Sequence, residues 1–408
     1  MQLESYLAEM IRQGDLTVRL PGGKTLHVGD DQGPPITAAI TRTGALARLA
    51  ANPGLALGEL YMDGGLVVEQ GDIFGLMDLV GRNLKNRPNL RRDGQLTRMW
   101  RDLRQHVNDR TASQRNVHHH YDLSVDLYRL FLDEDLQYSC AYFADPAMTL
   151  EEAQAAKKRH LAAKLLLSPG QSLLDIGCGW GGLGLTLAQD HGVMVQGVTL
   201  ATEQLALAQA RAAERGLQDR ARFCLTDYRD VAGPFDRIVS VGMFEHVGRP
   251  NFQEYFDTVA RLMTDDGVAV IHSIGRSEGP NTTQPWVAKY IFPGGYIPAL
   301  SEVLPAVERA GLIVTDVEIL RLHYAETLRH WRERFAAARP EVAALYDERF
   351  CRMWEFYLAA SEVSFRHSDH MVFQLQLAKR IDTVPLTRDY IGPAEQAAVS
   401  ARAGRHVA

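Results

Sequence analysis

The sequence lacks what would carry it through a membrane or out of the cell. No apolar run reaches the roughly 18 residues that a spanning helix needs. Met1-Gln2-Leu3-Glu4-Ser5 shows no signal-peptide pattern, so a soluble cytoplasmic protein is expected. Cysteine is scarce: Cys140, Cys178, Cys224 and Cys351 are far apart and without C-x-x-C spacing, which argues against a disulfide framework or a structural zinc. A net charge of −6 lacks the basic excess of a nucleic-acid binder. What remains is a 408-residue chain with 46% hydrophobic residues, enough for ordinary cores in one large and one small domain.

The most informative stretch is Ser172 to Gly182. Leu173, Leu174 and Ile176 suit a buried parallel strand, which breaks into Gly177-Cys178-Gly179-Trp180-Gly181-Gly182. Leu183, Leu187 and Ala188 then resume at helical spacing. The loop therefore delivers a helix N-terminus, where free N–H groups and the macrodipole favour an electron-rich ligand. Gly177, Gly179 and Gly182 also satisfy the G-x-G-x-x-G dinucleotide pattern, but that site wants an acid at the end of the second strand. The second strand, 193–200, ends on Thr199-Leu200 without a carboxylate. The acid is Asp175, inside the glycine motif, which resembles motif I of class I S-adenosylmethionine (SAM) methyltransferases.

Around this loop strands and helices alternate: helix 150–167, helix 202–215, strand 221–225, strand 235–241, helix 252–263 and strand 267–272. Such alternation implies a doubly wound α/β sheet with its ligand at the carboxyl ends of the strands. Gln204, Asp227, Glu245 and His272 all fall at that edge. Residues 280–298 form a proline-rich insert with Trp286, Tyr290, Phe292 and Tyr296, expected as an apolar cover over that edge. Residues 1–108 read as a separate small α+β domain without a nucleophile, metal cluster or phosphate loop. Residues 109–120 read as a linker, 121–392 as the catalytic domain and 393–408 as a loose tail.

Between residues 81 and 115, Arg82, Lys85, Arg87, Arg91, Arg92, Arg98, Arg101, Arg104, Arg110 and Arg115 oppose only Asp93, Asp102 and Asp109. Leu96, Met99, Trp100, Leu103 and Val107 recur there at helical spacing. The segment is either a solvated face of a packed helix or a basic amphipathic helix that docks on anionic phospholipid headgroups. His118-His119-His120 is not read as a metal site, because adjacent side chains do not converge.

Tyr138-Ser139-Cys140-Ala141-Tyr142-Phe143, the glycine loop, Thr199-Leu200 with Gln204, Phe244-Glu245-His246-Val247-Gly248, Ile271-His272-Ser273-Ile274-Gly275-Arg276 and Phe292-Pro293-Gly294-Gly295-Tyr296 together resemble cyclopropane-fatty-acyl-phospholipid synthases. The resemblance implies a Rossmann-like class I methyltransferase sheet with a small N-terminal lipid-docking domain. It also implies methyl transfer from SAM to the cis double bond of an unsaturated acyl chain in a membrane phospholipid. The resulting cation would lose a proton from the new methyl to a bound bicarbonate, closing the ring. Carried over residue by residue, the bicarbonate cage would be Cys140, Glu245, His272, the backbone of Ile274, and Tyr324. SAM would meet Tyr138, Ser139, Asp175, Gly177, Gly179, Thr199, Gln204, Asp227 and Tyr228. The resemblance further implies a homodimer attached peripherally to the inner face of the membrane, without a metal. One departure is visible: Ser124-Val125 follow Leu123 where the family pattern has Gly-Asn.

Other readings stay open on the residues alone. The same cation could lose a different proton and leave a methyl or methylene branch, or the acceptor could be a small amine. A nicotinamide-dependent oxidoreductase and a catalytically silent membrane scaffold are the readings outside methyl transfer.

Overall fold

The computed structural model describes residues 3–85 and 123–405. The basic segment beyond Lys85, the linker and the three histidines lie outside the described residues. In chain order the first stretch contains α1 (Leu3–Met10), β1 (Asp15–Arg19), β2 (Thr25–Gly29), β3 (Ile36–Ile40), α2 (Ala45–Ala51), α3 (Pro53–Met62), β4 (Leu66–Gln70) and α4 (Ile73–Lys85). The second contains α5 (Val125–Phe131), α6 (Leu150–Lys164), β5 (Ser172–Ile176), α7 (Gly182–His191), β6 (Met194–Thr199), α8 (Thr202–Glu214), β7 (Ala221–Leu225), β8 (Phe235–Val241), α9 (Phe252–Leu262) and β9 (Met263–Arg276). It continues with α10 (Pro285–Tyr290), α11 (Leu300–Arg309), β10 (Ile313–Leu320), α12 (His323–Ala337), α13 (Arg339–Leu345), α14 (Glu348–His367), β11 (His370–Ala378) and α15 (Ile391–Arg405).

Two compact units form, and their boundary departs from the expected one. The first unit joins Met1–Leu103 with Thr282–Pro293 and Ala325–His370. Its sheet has the order β2-β1-β3-β4, and β1 and β2 pair antiparallel as a hairpin, Leu16 opposite Val28 and Val18 opposite Leu26. Residues 325–370, expected in the catalytic domain, belong here because α14 packs on α3 and α4. Gly81 lies so close to Val363 and His367 that a Cβ would come within 2.7 Å of Val363 Cγ1. Three of the four insert aromatics expected as an active-edge cover, Trp286, Tyr290 and Phe292, pack inside this unit instead, whereas Tyr296 belongs to the second unit. Trp286 is buried against Gly58 and Phe356, with ring centroids 4.7 Å apart in the latter pair, and Phe292 meets Tyr357.

The second unit is built on a seven-stranded sheet of order β10-β11-β9-β8-β5-β6-β7. β5 pairs parallel with both β6 and β8, so the chain reverses its direction of growth between β5 and β8. Successive strand residues alternate between two cores. Leu174, Ile238 and Ile271 join Phe252, Phe256, Val259 and Val303 of α9 and α11 on one face. Leu173, Val239 and Val270 join Leu161, Leu183, Leu187 and Ala208 of α6, α7 and α8 on the other. A sheet covered on both faces leaves its strand ends for ligands, at the switch point. Helix α6 starts at a capping box in which Thr149 Oγ1 accepts from Glu152 N while Glu152 accepts from Thr149 N. The departure at Ser124 is also explained locally: its Oγ accepts from Asp126 N and caps α5.

The loose tail expected from Pro393 is instead helical. α15 packs on α6, and Glu395 Oε1 lies 2.6 Å from His160 Nδ1.

Candidate active site

At the carboxyl end of β5 the glycine loop takes the left-handed conformations that favour this residue: φ is +81° at Gly177, +55° at Gly179 and +80° at Gly181. The N–H groups of Gly177 and Cys178 both donate to Val198 O at 3.0 Å, folding the loop over the end of β6. A Cβ on Gly177 would sit 2.8 Å from Met243 Cβ, whereas one on Gly179 would meet nothing within 4 Å. The loop is therefore clamped at Gly177 and open at Gly179, directly before the N-terminus of α7.

Asp175 is 2% exposed and its Oδ2 has no hydrogen-bond partner among the described residues. Burial pushes its carboxyl up to about 7, opposed by the charge of Lys157. Thr199 Oγ1 donates to Gln204 Oε1 at 3.1 Å, bringing those two predicted residues together beyond β6. Tyr138 packs edge-on against Tyr128, which in turn meets Trp180 of the glycine loop at 4.9 Å. Asp227 is more heavily engaged than expected. Its carboxylate accepts from Arg229 N, Nε and Nη2, so it shapes the turn that carries Tyr228. An open glycine backbone beside a helix N-terminus suits the carboxylate of SAM, and a buried carboxyl left over at Asp175 suits its ammonium group.

The second half of the site lies at the ends of β8 and β9. Gly242 N donates to His272 O, and Gly242 also faces Ser139, a Cβ there falling 3.9 Å from the Ser139 Cβ. Strand alternation puts His272 and Ile274 on one face of β9. Glu245 sits in a short 3-10 turn after β8, where its Oε1 accepts the Ile274 N–H at 2.6 Å while Oε2 has no partner. Burial pushes its carboxyl up to about 7, against the bond from Ile274. The same glutamate's carbonyl accepts from Tyr296 N at 2.8 Å, joining the Pro293-Gly294-Gly295-Tyr296 loop to this corner. His272 is 2% exposed, and burial, reinforced by the charges of Lys157 and Lys164, pushes its imidazole down to about 3.

Cys140 is 1% exposed and its thiol donates to Ala141 O at 3.3 Å. Tyr324 lies in the first turn of α12, beside His323, whose Nδ1 accepts from Phe143 N at 3.0 Å. The Cys140 segment is thus tied to both Gly242 and the start of α12. Glu245 and Ile274 meet directly; His272, Cys140 and Tyr324 are joined to them through adjacent residues of the same segments. Among the described residues, one group of three metal-type ligands lies close together, Asp15, His27 and Asp31, on the surface of the first unit and outside these segments.

Three groups went unread in the sequence. Lys157 of α6 is fully buried, with Nζ 2.7 Å from both Gln137 Oε1 and Ser139 Oγ, and burial lowers it to about 8. Asp135 is bound by Lys158 and Arg211; burial would raise its carboxyl, but these cations hold it at about 2. Gln374 of β11 touches His272. A lysine amid Glu151-Glu152 and Lys158-Arg159 looks like part of a solvated helix face, and only the tertiary fold turns it inward.

A parallel sheet reversing at β5, with this turn and this acid, defines a class I SAM-dependent methyltransferase. Solved structures agree: a mycolic acid cyclopropane synthase complexed with SAH and CTAB superposes with a TM-score of 0.62 at 34% identity, covering 66% of this chain and 99% of the other. The family model described as Mycolic acid cyclopropane synthetase matches residues 108–375, and the chain belongs to that family. It is 38% identical over 342 residues to a cyclopropane-fatty-acyl-phospholipid synthase of Escherichia coli, spanning 82% of this chain and 86% of that one. It is 41% identical over 283 residues to a tuberculostearic acid methyltransferase of Mycobacterium tuberculosis, covering 66% of each.

Proposed function

We propose that this methyltransferase is a cyclopropane-fatty-acyl-phospholipid synthase that adds a methylene bridge across the cis double bond of an unsaturated phospholipid acyl chain. The observation that carries the reading is Glu245: a carboxyl buried without a cation against it, one oxygen held by Ile274 N–H and the other unpartnered. Such a group suits a site that must hold a proton acceptor and keep water from a carbocation.

Tyr138, Ser139, Gly177, Gly179, Thr199, Gln204 and the Asp227-Tyr228 turn would hold SAM, with Asp175 behind the loop. When bound, SAM supplies an electrophilic methyl group on a sulfonium. The alkene is a poor nucleophile, so the chain's part is to align it and exclude water. Bicarbonate would supply the base: His272 and Tyr324 would donate to it, Glu245 would accept its O–H, and the backbone of Ile274 would line its site while its N–H holds Glu245 Oε1. The buried charge of Lys157, felt at His272, favours an anion here. Cys140 is a polar wall.

No helix among the described residues is long and apolar enough to cross a membrane. We place the enzyme in the cytoplasm as a homodimer docked on anionic lipid, with the basic residues beyond Lys85 as the docking element. Replacing Arg91, Arg92, Arg98 and Arg101 by Ala should weaken sedimentation with anionic vesicles in a salt-sensitive way; unchanged sedimentation sinks that part.

The function is tested with purified protein, SAM and vesicles of cis-unsaturated phospholipid, reading lipids by mass spectrometry and proton NMR. Gain of one CH2 with loss of the alkene protons is expected. The similarity to a tuberculostearic acid methyltransferase supports a second reading, a methyl-branched product, which the NMR separates from a ring. Neither product overturns the lipid assignment.

A further inference from the structure

We propose that Gln374 is a positioning residue for His272, its side-chain amide occupying Nδ1 so that the imidazole proton is kept on Nε2. The inference rests on the proposed function only for what Nε2–H then donates to.

Gln374 lies on β11 and is fully buried, a costly place for an amide. The contrast with Gln376, two residues along the same face, is informative. Gln376 donates to Lys164 O and to Tyr390 OH, and its Oε1 accepts from Thr315 Oγ1 at 2.9 Å. Its amide is consumed in holding the sheet to its neighbours. Gln374 Nε2 instead lies 3.1 Å from His272 Nδ1, and its Oε1 has no partner among the described residues. An aliphatic residue of similar size would fill the position without leaving an acceptor bare, so packing does not explain the amide.

A side-chain NH2 can only donate, which requires Nδ1 to be the lone-pair nitrogen and leaves the proton of a neutral ring on Nε2. Burial keeps the ring neutral, and the charges of Lys157, Lys164 and His160 from α6 act in the same direction, opposed by Glu318 from β10. In the other tautomer Nε2 would turn a lone pair toward a bound anion and repel it. The chain thus has a reason to choose one nitrogen, and Gln374 is the group placed to choose it.

The test uses full-length protein labelled with 15N-histidine, His272 being assigned by the signal lost in His272→Asn. Nitrogen shifts of a neutral ring protonated at Nε2 are expected in the wild type. Gln374→Met should mix the tautomers, and Gln374→Glu should pull the proton to Nδ1 and charge the ring, adding a new limb to the pH–rate profile. Both variants should lower kcat for vesicle lipid by about tenfold or more with SAM affinity unchanged, and Gln374→Met should also leave Tm unchanged. A wild-type proton on Nδ1, or wild-type His272 shifts in both variants, overturns the proposal. If the wild type modifies no lipid, the proposed function fails and the spectra still decide the role of Gln374.

Discussion

Two buried glutamates, one in each compact unit, show how differently the fold treats its charges. In the first unit Glu362 of α14 has a side chain 1% exposed, and both of its oxygens are taken, by Arg332 Nε and Arg366 Nε at 2.9 Å each. Nearby, Glu355 is held by Arg339 Nε at 2.6 Å and by the Tyr61 hydroxyl at 2.9 Å. In the second unit Glu245 and Asp175 are buried, and among the described residues no cation is bonded to them and one oxygen of each is left bare. Burying a carboxylate is expensive, and pairing is the usual remedy. Leaving two unpaired at one sheet edge keeps them close to neutral and available, which is what a site handling protons and a cation requires.

The comparison is most directly broken at Glu245. Glu245→Gln keeps the shape but removes the charge and replaces one acceptor oxygen by a donor NH2, so lipid modification should fall by roughly 10²-fold or more while SAM affinity by titration calorimetry stays within about twofold. A parallel loss of SAM affinity would move Glu245 into the cofactor site. Glu362→Ala should act oppositely, costing about 3 kcal/mol of unfolding free energy in denaturant because two arginines lose their shared partner, while SAM affinity is kept.

Asp175→Asn sharpens the contrast by pH. The carboxyl is raised in the fold to about 7, so its contribution to stability is complete below its unfolded value near 4 and is lost as pH rises to 7. Denaturation at several pH values should show the Asn variant gaining on the wild type by up to about 1.4 kcal/mol per pH unit across that window. A flat difference would mean that Asp175 is paired in solution.

The smallest effect is expected at His160. Burial works against its charge, yet Glu318 and Glu395, each at 2.6 Å, hold its imidazole above the ordinary value. That stabilisation is complete below the unfolded value near 6.5 and disappears as pH rises through the folded one. His160→Gln should therefore cost about 1 kcal/mol at pH 6 and little in alkaline solution. Equal losses at both ends would assign the effect to packing against Tyr142, whose ring stacks on His160 at 4.2 Å.

Much of this was legible because it is local. The hydrophobic runs of β5, β8 and β9 and the punctuation at Gly177 and Gly179 depend on neighbours in sequence. The failures are equally instructive. Pro393 suggested a loose tail, but in α15 it sits in the first turn, where proline is tolerated, and the helix is tied down by His160, more than 200 residues earlier in the chain. Trp286 and Phe292 were legible as apolar, though not as partners of Gly58 and Tyr357. Lys157 and Gln374 gave no signal, since a lysine on a helix and a glutamine in a strand ordinarily face water.

By itself the sequence determined the kind of cofactor loop, the order of strands and helices around it and the residues at their ends, because backbone conformation and hydrophobic period are properties of short segments. Only the tertiary structure decided which carboxyls remain unpaired, which amide faces His272 and to which unit residues 325–370 belong. Those outcomes depend on burial and on partners far apart in the chain, and desolvation acts only once the fold has closed around a group.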